Sequence, residues 1–382
     1  MTESRRPGPG SPQQHIRVLI VDDSAPVRAA LSEIIAADIE LSVMATASDP
    51  YEAADKIREE VPDVIILDTR LKRMDGLTFM GKIMSQHPIP MLVCSSLDEE
   101  ALEQVFEAGA VEVIARPDIN AVAFLQRHRL HICDLVKLAA RTKSDDARKP
   151  NSPRPPAGPK LSADIIIPPR SAKASAAALA ALPVTQKIVC IGASTGGTEA
   201  LRVVLESLSP ECPGIVVVQH MPEKFTAAFA SRLNGLCEVQ VSEAEDGAAV
   251  LPGHVLIAPG NRHMLLRRSG THYSVHIVDG PHISGHRPSV DVLFRSAAQQ
   301  AGANAMGILL TGMGDDGAQG LLEMKTMGSM TIAQDEQSCV VFGMPREAID
   351  RGAASQVLPL DKIAAKITAI HRTSGEHKAL VR

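Results

Sequence analysis

Short runs of branched aliphatic residues recur along this chain, and most of them stop at an acidic, hydroxyl or glycine residue just before an amphipathic stretch begins. That grammar is the strongest constraint on its fold. Such a run, too short for a buried helix and followed by a helical pattern, reads as a strand buried on both faces of a parallel sheet. Five of these units come first. Arg17–Val21 runs into Asp22-Asp23-Ser24, with Pro26 opening a helix to about Ala37. Leu41–Ala47 precedes a helix near Tyr51–Glu60, and Val64–Leu67 ends at Asp68 ahead of a helix from Gly76 to about Ser85. Met91–Cys94 ends at Ser95-Ser96 before a helix opened by Asp98-Glu99-Glu100. Val111–Ile114 ends at Arg116-Pro117, and Ala121–Ala139 is the last helix. An α/β domain with five alternating strands and helices is expected over residues 15–140, behind a disordered tail at 1–14.

The same grammar returns on a larger scale over residues 187–372, with a tail at 373–382. Ile188–Ile191 runs into Gly192-Ala193-Ser194-Thr195-Gly196-Gly197, Ile215–Val218 into Gln219-His220, and Val255–Ala258 into Pro259-Gly260. Ala305–Leu310 runs into Thr311-Gly312-Met313-Gly314-Asp315-Asp316-Gly317. Tyr273–Val278 alternates polar and apolar residues and reads as part of an edge hairpin, and Ser289 can cap a helix that includes Asp291 to Gln299. A doubly wound, mostly parallel sheet is expected.

Residues 141–186 separate the two domains. Prolines cluster there, an alanine-serine tract follows, and eight basic residues face three acidic ones. The stretch reads as a semi-extended linker, with Ile165-Ile166-Ile167 as a candidate local docking point. The chain as a whole carries a net charge of −5 and only 2% aromatic residues, without tryptophan. Neither a general phosphate-backbone binder nor a base-stacking platform fits that composition. No run approaches the length of a membrane span, the N-terminus lacks an apolar signal core, and the six cysteines are scattered. A cytoplasmic monomer is expected, with neither membrane insertion nor nucleic-acid binding.

In open α/β sheets, ligands bind beyond the carboxyl ends of the strands, where every polar group above is placed. Asp22, Asp23 and Asp68 would gather three carboxylates, which repel one another unless a hard cation such as Mg²⁺ joins them. Ser95 and Arg116 would add a hydroxyl and a positive charge. That set is arranged to accept a phosphoryl group on an aspartate. As a set, these residues resemble the response-regulator receiver domain over about Ile16 to Leu138. The resemblance implies Asp68 as phosphoacceptor, Asp22 and Asp23 with Asp68 as Mg²⁺ ligands, and Ser95 and Arg116 as the switch pair. It departs from the family at Arg116, where lysine is usual, and at Leu71-Lys72.

In the second domain Ser194 lies at a strand-to-helix turn, where it reads equally as a helix cap or as a nucleophile. His220 ends the next strand, and Asp316 follows a later one. A hydroxyl, an imidazole and a carboxylate on neighbouring strand ends form a triad, with Asp315 the competitor for the third place. Dinucleotide binding fits poorly. Ser194 occupies the middle glycine position of that fingerprint, and His220 stands where an acid belongs. Six histidines crowd the stretch from His254 to His286, and His272 and His276 are spaced as metal ligands would be on a helix, although they lie in a strand-like stretch.

Gly192–Gly197, Gln219-His220-Met221-Pro222, His286–Asp291, Leu310–Gly317 and Val341–Ala348 together resemble the protein-glutamate methylesterase of bacterial chemotaxis over roughly Lys187 to Ile370. The order of receiver, linker and esterase matches the family architecture. The resemblance implies Ser194 as nucleophile, His220 as base and Asp316 as orienter, with backbone N–H groups near Thr195 and Met313 as oxyanion donors. It implies methyl-accepting chemotaxis receptors as substrate, a chemotaxis sensor histidine kinase as phosphoryl donor, glutamine deamidation as a second activity, and no cofactor for the esterase step. Asp315 stands where the family usually has asparagine. A catalytically silent binding module gated by the receiver is the rival reading.

Overall fold

The first five aliphatic runs are strands β1 (Ile16–Val21), β2 (Leu41–Ala47), β3 (Val64–Leu67), β4 (Met91–Ser95) and β5 (Glu112–Ala115). They form one parallel sheet in the order β2-β1-β3-β4-β5. Between them lie helices α1 (Ala25–Ala36), α2 (Pro50–Glu59) and α3 (Gly76–Gln86). Asp49 caps α2 by accepting from the Tyr51 and Glu52 amides, and Asp75 caps α3 by accepting from Thr78. The expected last helix is two, α4 (Ala121–Arg127) and α5 (Arg129–Asp146), and the second runs past residue 140. This computed structural model describes residues 15–96, 101, 104–105, 108–146, 161–169, 186–221 and 223–379. The 1–14 tail, the acids at 98–100 and most of the expected linker fall outside them.

The chain divides into two units, Met1–Ser152 and Pro153–Arg382. In the second, β6 (Ile188–Ala193), α6 (Gly197–Glu206), β7 (Gly214–Gln219), α7 (Glu223–Leu236), β8 (Gln240–Glu243) and β9 (His254–Ile257) come first. A hairpin follows, β10 (His263–Ser269) with β11 (His272–Val278), then α8 (Val290–Gln300) and β12 (Ala305–Leu309). The unit closes with α9 (Ala318–Thr326), β13 (Met330–Gln334), α10 (Met344–Asp350), β14 (Gln356–Leu358) and α11 (Leu360–Ala379). Seven parallel strands run in the order β14-β13-β12-β6-β7-β9-β8. Alternate residues sort to opposite faces. Ile188 and Cys190 join one buried cluster with α8, α9 and the hairpin, whereas Val189 and Ile191 join a second with α6, α7 and α11.

Three expectations are corrected here. The β10–β11 hairpin is its own two-stranded antiparallel sheet packed on α8, not an edge of the main one. Helix α11 continues to Ala379, through most of the expected tail. Residues 161–169 are not free spacer either, and Ile166 and Ile167 of the expected docking point do pack within the second unit. Ala163 is buried with Ile283 and Val292, since a segment with three consecutive isoleucines can bury apolar surface despite its prolines. Among the described residues, no helix is long and apolar enough to cross a membrane.

Candidate active site

Both sheets change winding direction at a first strand, and polar residues collect at those points. In the second unit β6 is flanked by β7 and β12. Ser194 follows β6 directly, and its N–H donates to Thr311 O at 3.0 Å. Helix α6 begins after Gly196, whose φ is +76°. A Cβ there would lie 2.5 Å from Val340 Cβ, so glycine is required on both counts. Ala193 pairs with Gln219 in the β6–β7 register, so Ser194 and His220 leave adjacent strands at one level. Gln219 ties the two ends together, its side-chain Nε2 donating to Ser194 O at 2.9 Å and His220 O at 3.1 Å.

Asp316 arrives from the loop after β12 and is buried. Its Oδ2 accepts from His220 Nε2 at 2.8 Å and from the Val290 amide at 2.7 Å. Its Oδ1 accepts from the Ser289 hydroxyl at 2.8 Å and the Asp291 amide at 3.0 Å. The carboxylate therefore sits on the N-terminus of α8, where free amides and the helix dipole favour an anion. Burial alone would raise its pKa. The hydrogen bond and charge of His220, then His286 and the Asp291 amide, hold it below the ordinary value. With Nε2–H donated to Asp316, His220 carries its acceptor lone pair on Nδ1, which is buried and has no hydrogen-bond partner. Ser194 is half-buried. The site thus brings together Ser194, His220 and Asp316.

Thr195 is buried, and its carbonyl accepts from Thr311 Oγ1 at 3.0 Å. Met313 lies one residue beyond Gly312, in the loop that meets the Ser194 turn. Asp315, one residue from Asp316, faces Arg351 at 3.5 Å. The crowded histidines divide by role. His263 is buried between Pro281 O and the Ser289 amide, and His276 pairs with Asp246. The imidazole of His286 stacks on His220, with ring centres 3.7 Å apart and 7° between planes. Gln219, His263, His286 and the hydroxyl of Ser289 were not assigned to this site from sequence. For Gln219, His286 and Ser289 the signals were the motifs Gln219–Pro222 and His286–Asp291, which carry no role until the fold closes them onto Asp316, whereas His263 lies in neither.

In the first unit Asp22, Asp23 and Asp68 converge, with one carboxylate oxygen from each within 4.8 Å of the others. Ser95 Oγ donates to Asp68 Oδ1 at 2.6 Å, and Thr69 Oγ1 donates to Ser95 Oγ at 2.9 Å. Arg116 is buried, and its Nη2 reaches Asp68 at 2.6 Å and Asp22 at 3.2 Å. One guanidinium nitrogen thus meets both acids, while Arg116 Nε donates to Cys94 O at 3.1 Å. Burial is the main reason the Asp22 carboxyl is pushed up to about 6. Three hard carboxylate donors with one half-exposed member are a donor set suited to Mg²⁺.

The chain matches two family models, a CheB methylesterase over residues 189–367 and a response regulator receiver domain over residues 18–124. It is 58% identical to protein-glutamate methylesterase/protein-glutamine glutaminase 2 of Rhodospirillum rubrum over 358 residues, 92% of this chain and 97% of that one. It is 55% identical to protein-glutamate methylesterase/protein-glutamine glutaminase 3 of Geobacter metallireducens over 357 residues, 92% of this chain and 98% of that one. Among solved structures, the Thermotoga maritima CheB methylesterase catalytic domain is 42% identical and covers 49% of this chain and 100% of that one, with a TM-score of 0.48.

Proposed function

The chain belongs to the protein-glutamate methylesterase/protein-glutamine glutaminase family, and from that premise we propose that it removes methyl esters from glutamyl residues of methyl-accepting chemotaxis receptors and deamidates their glutamines. The observation that supports this most is the state of His220. Nε2 is engaged by a buried carboxylate, and Nδ1 is held unpartnered at the end of the strand beside Ser194. Nδ1 is the atom that takes the proton as Ser194 Oγ attacks the ester carbonyl. Asp316 stabilises the imidazolium that forms. The amides of Thr195 and Met313 would hold the developing oxyanion. The proton then passes from His220 to the leaving oxygen and methanol departs. Water, deprotonated by His220, cleaves the acyl-Ser194 ester to leave the glutamate. From a glutamine side chain the same path releases ammonia. None of these steps needs a cofactor.

The receiver domain supplies control. Asp68 would accept the phosphoryl group from a chemotaxis sensor histidine kinase. Asp22, Asp23 and Asp68 would hold Mg²⁺, which supplies charge neutralisation for that transfer. Ser95 and Arg116, both already on Asp68, would turn to the phosphoryl oxygens. The reading is tested by incubating the full chain with receptor carrying methylated or amidated glutamates. Methanol is expected from the first and ammonia from the second. Release of neither would reject it.

A further inference from the structure

His220 is fixed by Asp316 through one atom. A hydrogen bond to Nε2 sets a point but leaves the ring free to turn about it, and the final torsion of a histidine is broad. A second constraint is needed for Nδ1 to face Ser194 on every turnover. The stacked ring of His286 is that constraint, because two planes 7° apart at 3.7 Å hold the plane of the His220 ring while Asp316 holds Nε2.

His286 is itself held firmly. Ile283 and His286 exchange both backbone hydrogen bonds at 2.9 Å, closing a two-residue turn. Its central residues are left-handed, Ser284 at φ +51° and Gly285 at φ +84°. This is the primed hairpin turn, a rigid connection. The turn rests on residues from the linker side of the unit. Ile283 is wholly buried against Ala163 and Val292, with Ile166 and Ile167 around them. The Ser284 N–H donates to Leu161 O at 2.9 Å. Ile166 Cδ1 lies 2.5 Å from where a Cβ on Gly280 would stand, so the segment packs directly on the loop leading into the turn.

The same segment grips α8. Arg295, buried between Glu323 and the segment, donates to the Asp164 carboxylate and to Ile167 O at 3.2 Å, and Gln299 donates to Pro168 O at 3.0 Å. Arg295 lies little more than one turn from the amides that hold Asp316. One short segment thus touches both supports of His220.

We propose that His286 is a positioning residue for His220, and that Leu161–Ile167 is the brace that holds its hairpin in place. This rests on His220 being the base. The predicted size is the cost of a misplaced reactive group, about 10- to 100-fold in kcat.

The test uses the full chain and compares His286→Ala, His286→Phe, Ala163→Asp and the double variant Ala163→Asp with His286→Ala. Methanol release is measured together with the ¹⁵N signals of the His220 imidazole and a thermal midpoint. His286→Ala is expected to lower kcat about 10- to 100-fold with KM unchanged, whereas His286→Phe, which restores a stacking face, stays within a few-fold of wild type. Ala163→Asp should lower kcat similarly, and the double variant should lose little more than either single one. The ¹⁵N signals should show the Nε2–H tautomer set by Asp316 in every variant, with exchange broadening from a turning ring in His286→Ala that wild type and His286→Phe lack. Normal kcat and unbroadened ¹⁵N signals in a folded His286→Ala would overturn the role of the stack, as would a His286→Phe as slow as alanine. Normal kcat in Ala163→Asp, or fully multiplicative losses, would overturn the brace. A wild-type chain without hydrolysis refutes the functional reading instead, and the ¹⁵N signals then still decide the positioning.

Discussion

Asp316 and Asp315 are neighbours with the same side chain, and their surroundings give them different work. Asp316 is buried under four hydrogen bonds, one of them to His220, whereas Asp315 faces Arg351 near the surface. Asp316→Asn would place an amide where the Nε2–H must be accepted and would favour the wrong tautomer. Its kcat should fall on the order of 10⁴-fold, as the loss of a triad carboxylate does elsewhere. Asp315→Asn should stay within a few-fold. Methanol release at saturating substrate checks both, and equal losses would contradict the assignment. Ser194, His220 and Asp316 were legible because each follows a strand that could be recognised locally. Choosing Asp316 over Asp315 from sequence alone rested on resemblance, because which carboxylate turns inward depends on contacts with Ser289 and Val290, distant in sequence. His286 was visible in the crowd of histidines and in the His286–Asp291 motif, but without a role, since a stack has no sequence period.

Helix α8 concentrates the support for this site. Ser289 caps it, accepting from Val292 while donating to Asp316, and the cap was readable from sequence although the donation was not. Asp291, in its first turn, accepts from the Gly320 amide at 2.7 Å and the Ser284 hydroxyl at 3.3 Å. Burial, and then the charge of Asp316, push its carboxyl up to about 7. The folded chain therefore keeps a proton that the unfolded chain releases near pH 4, so this group's contribution to stability falls as pH rises through about 4 to 7. Asp291→Asn retains an acceptor for Gly320 and cannot ionise. Its thermal midpoint relative to wild type should be higher at about pH 8 than at about pH 5. A difference that does not change with pH would contradict this. The elements missed from sequence have physical reasons of the same kind. β8, with alternate residues exposed, lies at the sheet edge, and β14 has three residues. In Leu161–Pro169 the isoleucines mark a docking point against a proline-rich, spacer-like composition, but the burial of Ala163 has no local signal because Ile283 and Val292 lie 120 or more positions later.

For the whole molecule, the two units carry two chemistries that family membership joins in one regulated enzyme. We propose that the receiver holds esterase activity down until Asp68 is phosphorylated. Phosphorylation of Asp68 should then raise methanol release by roughly 5- to 150-fold, the range of an ordinary coupling energy, and Asp68→Asn should abolish the rise. A fragment used to isolate the esterase should begin before Leu161, because one beginning at Lys187 loses the packing on Ile283 and Arg295. The longer fragment should exceed the unphosphorylated full chain, and failure to do so would reject inhibition by the receiver. The central claim is that Ser194 is the nucleophile of a glutamyl ester hydrolase. The measurement that meets it most directly is methanol release from methylated receptor by the full chain, wild type against Ser194→Ala, with phosphoryl donor and Mg²⁺ present. A loss of ~10³-fold or more in the variant is predicted, and near-normal release by Ser194→Ala would contradict it.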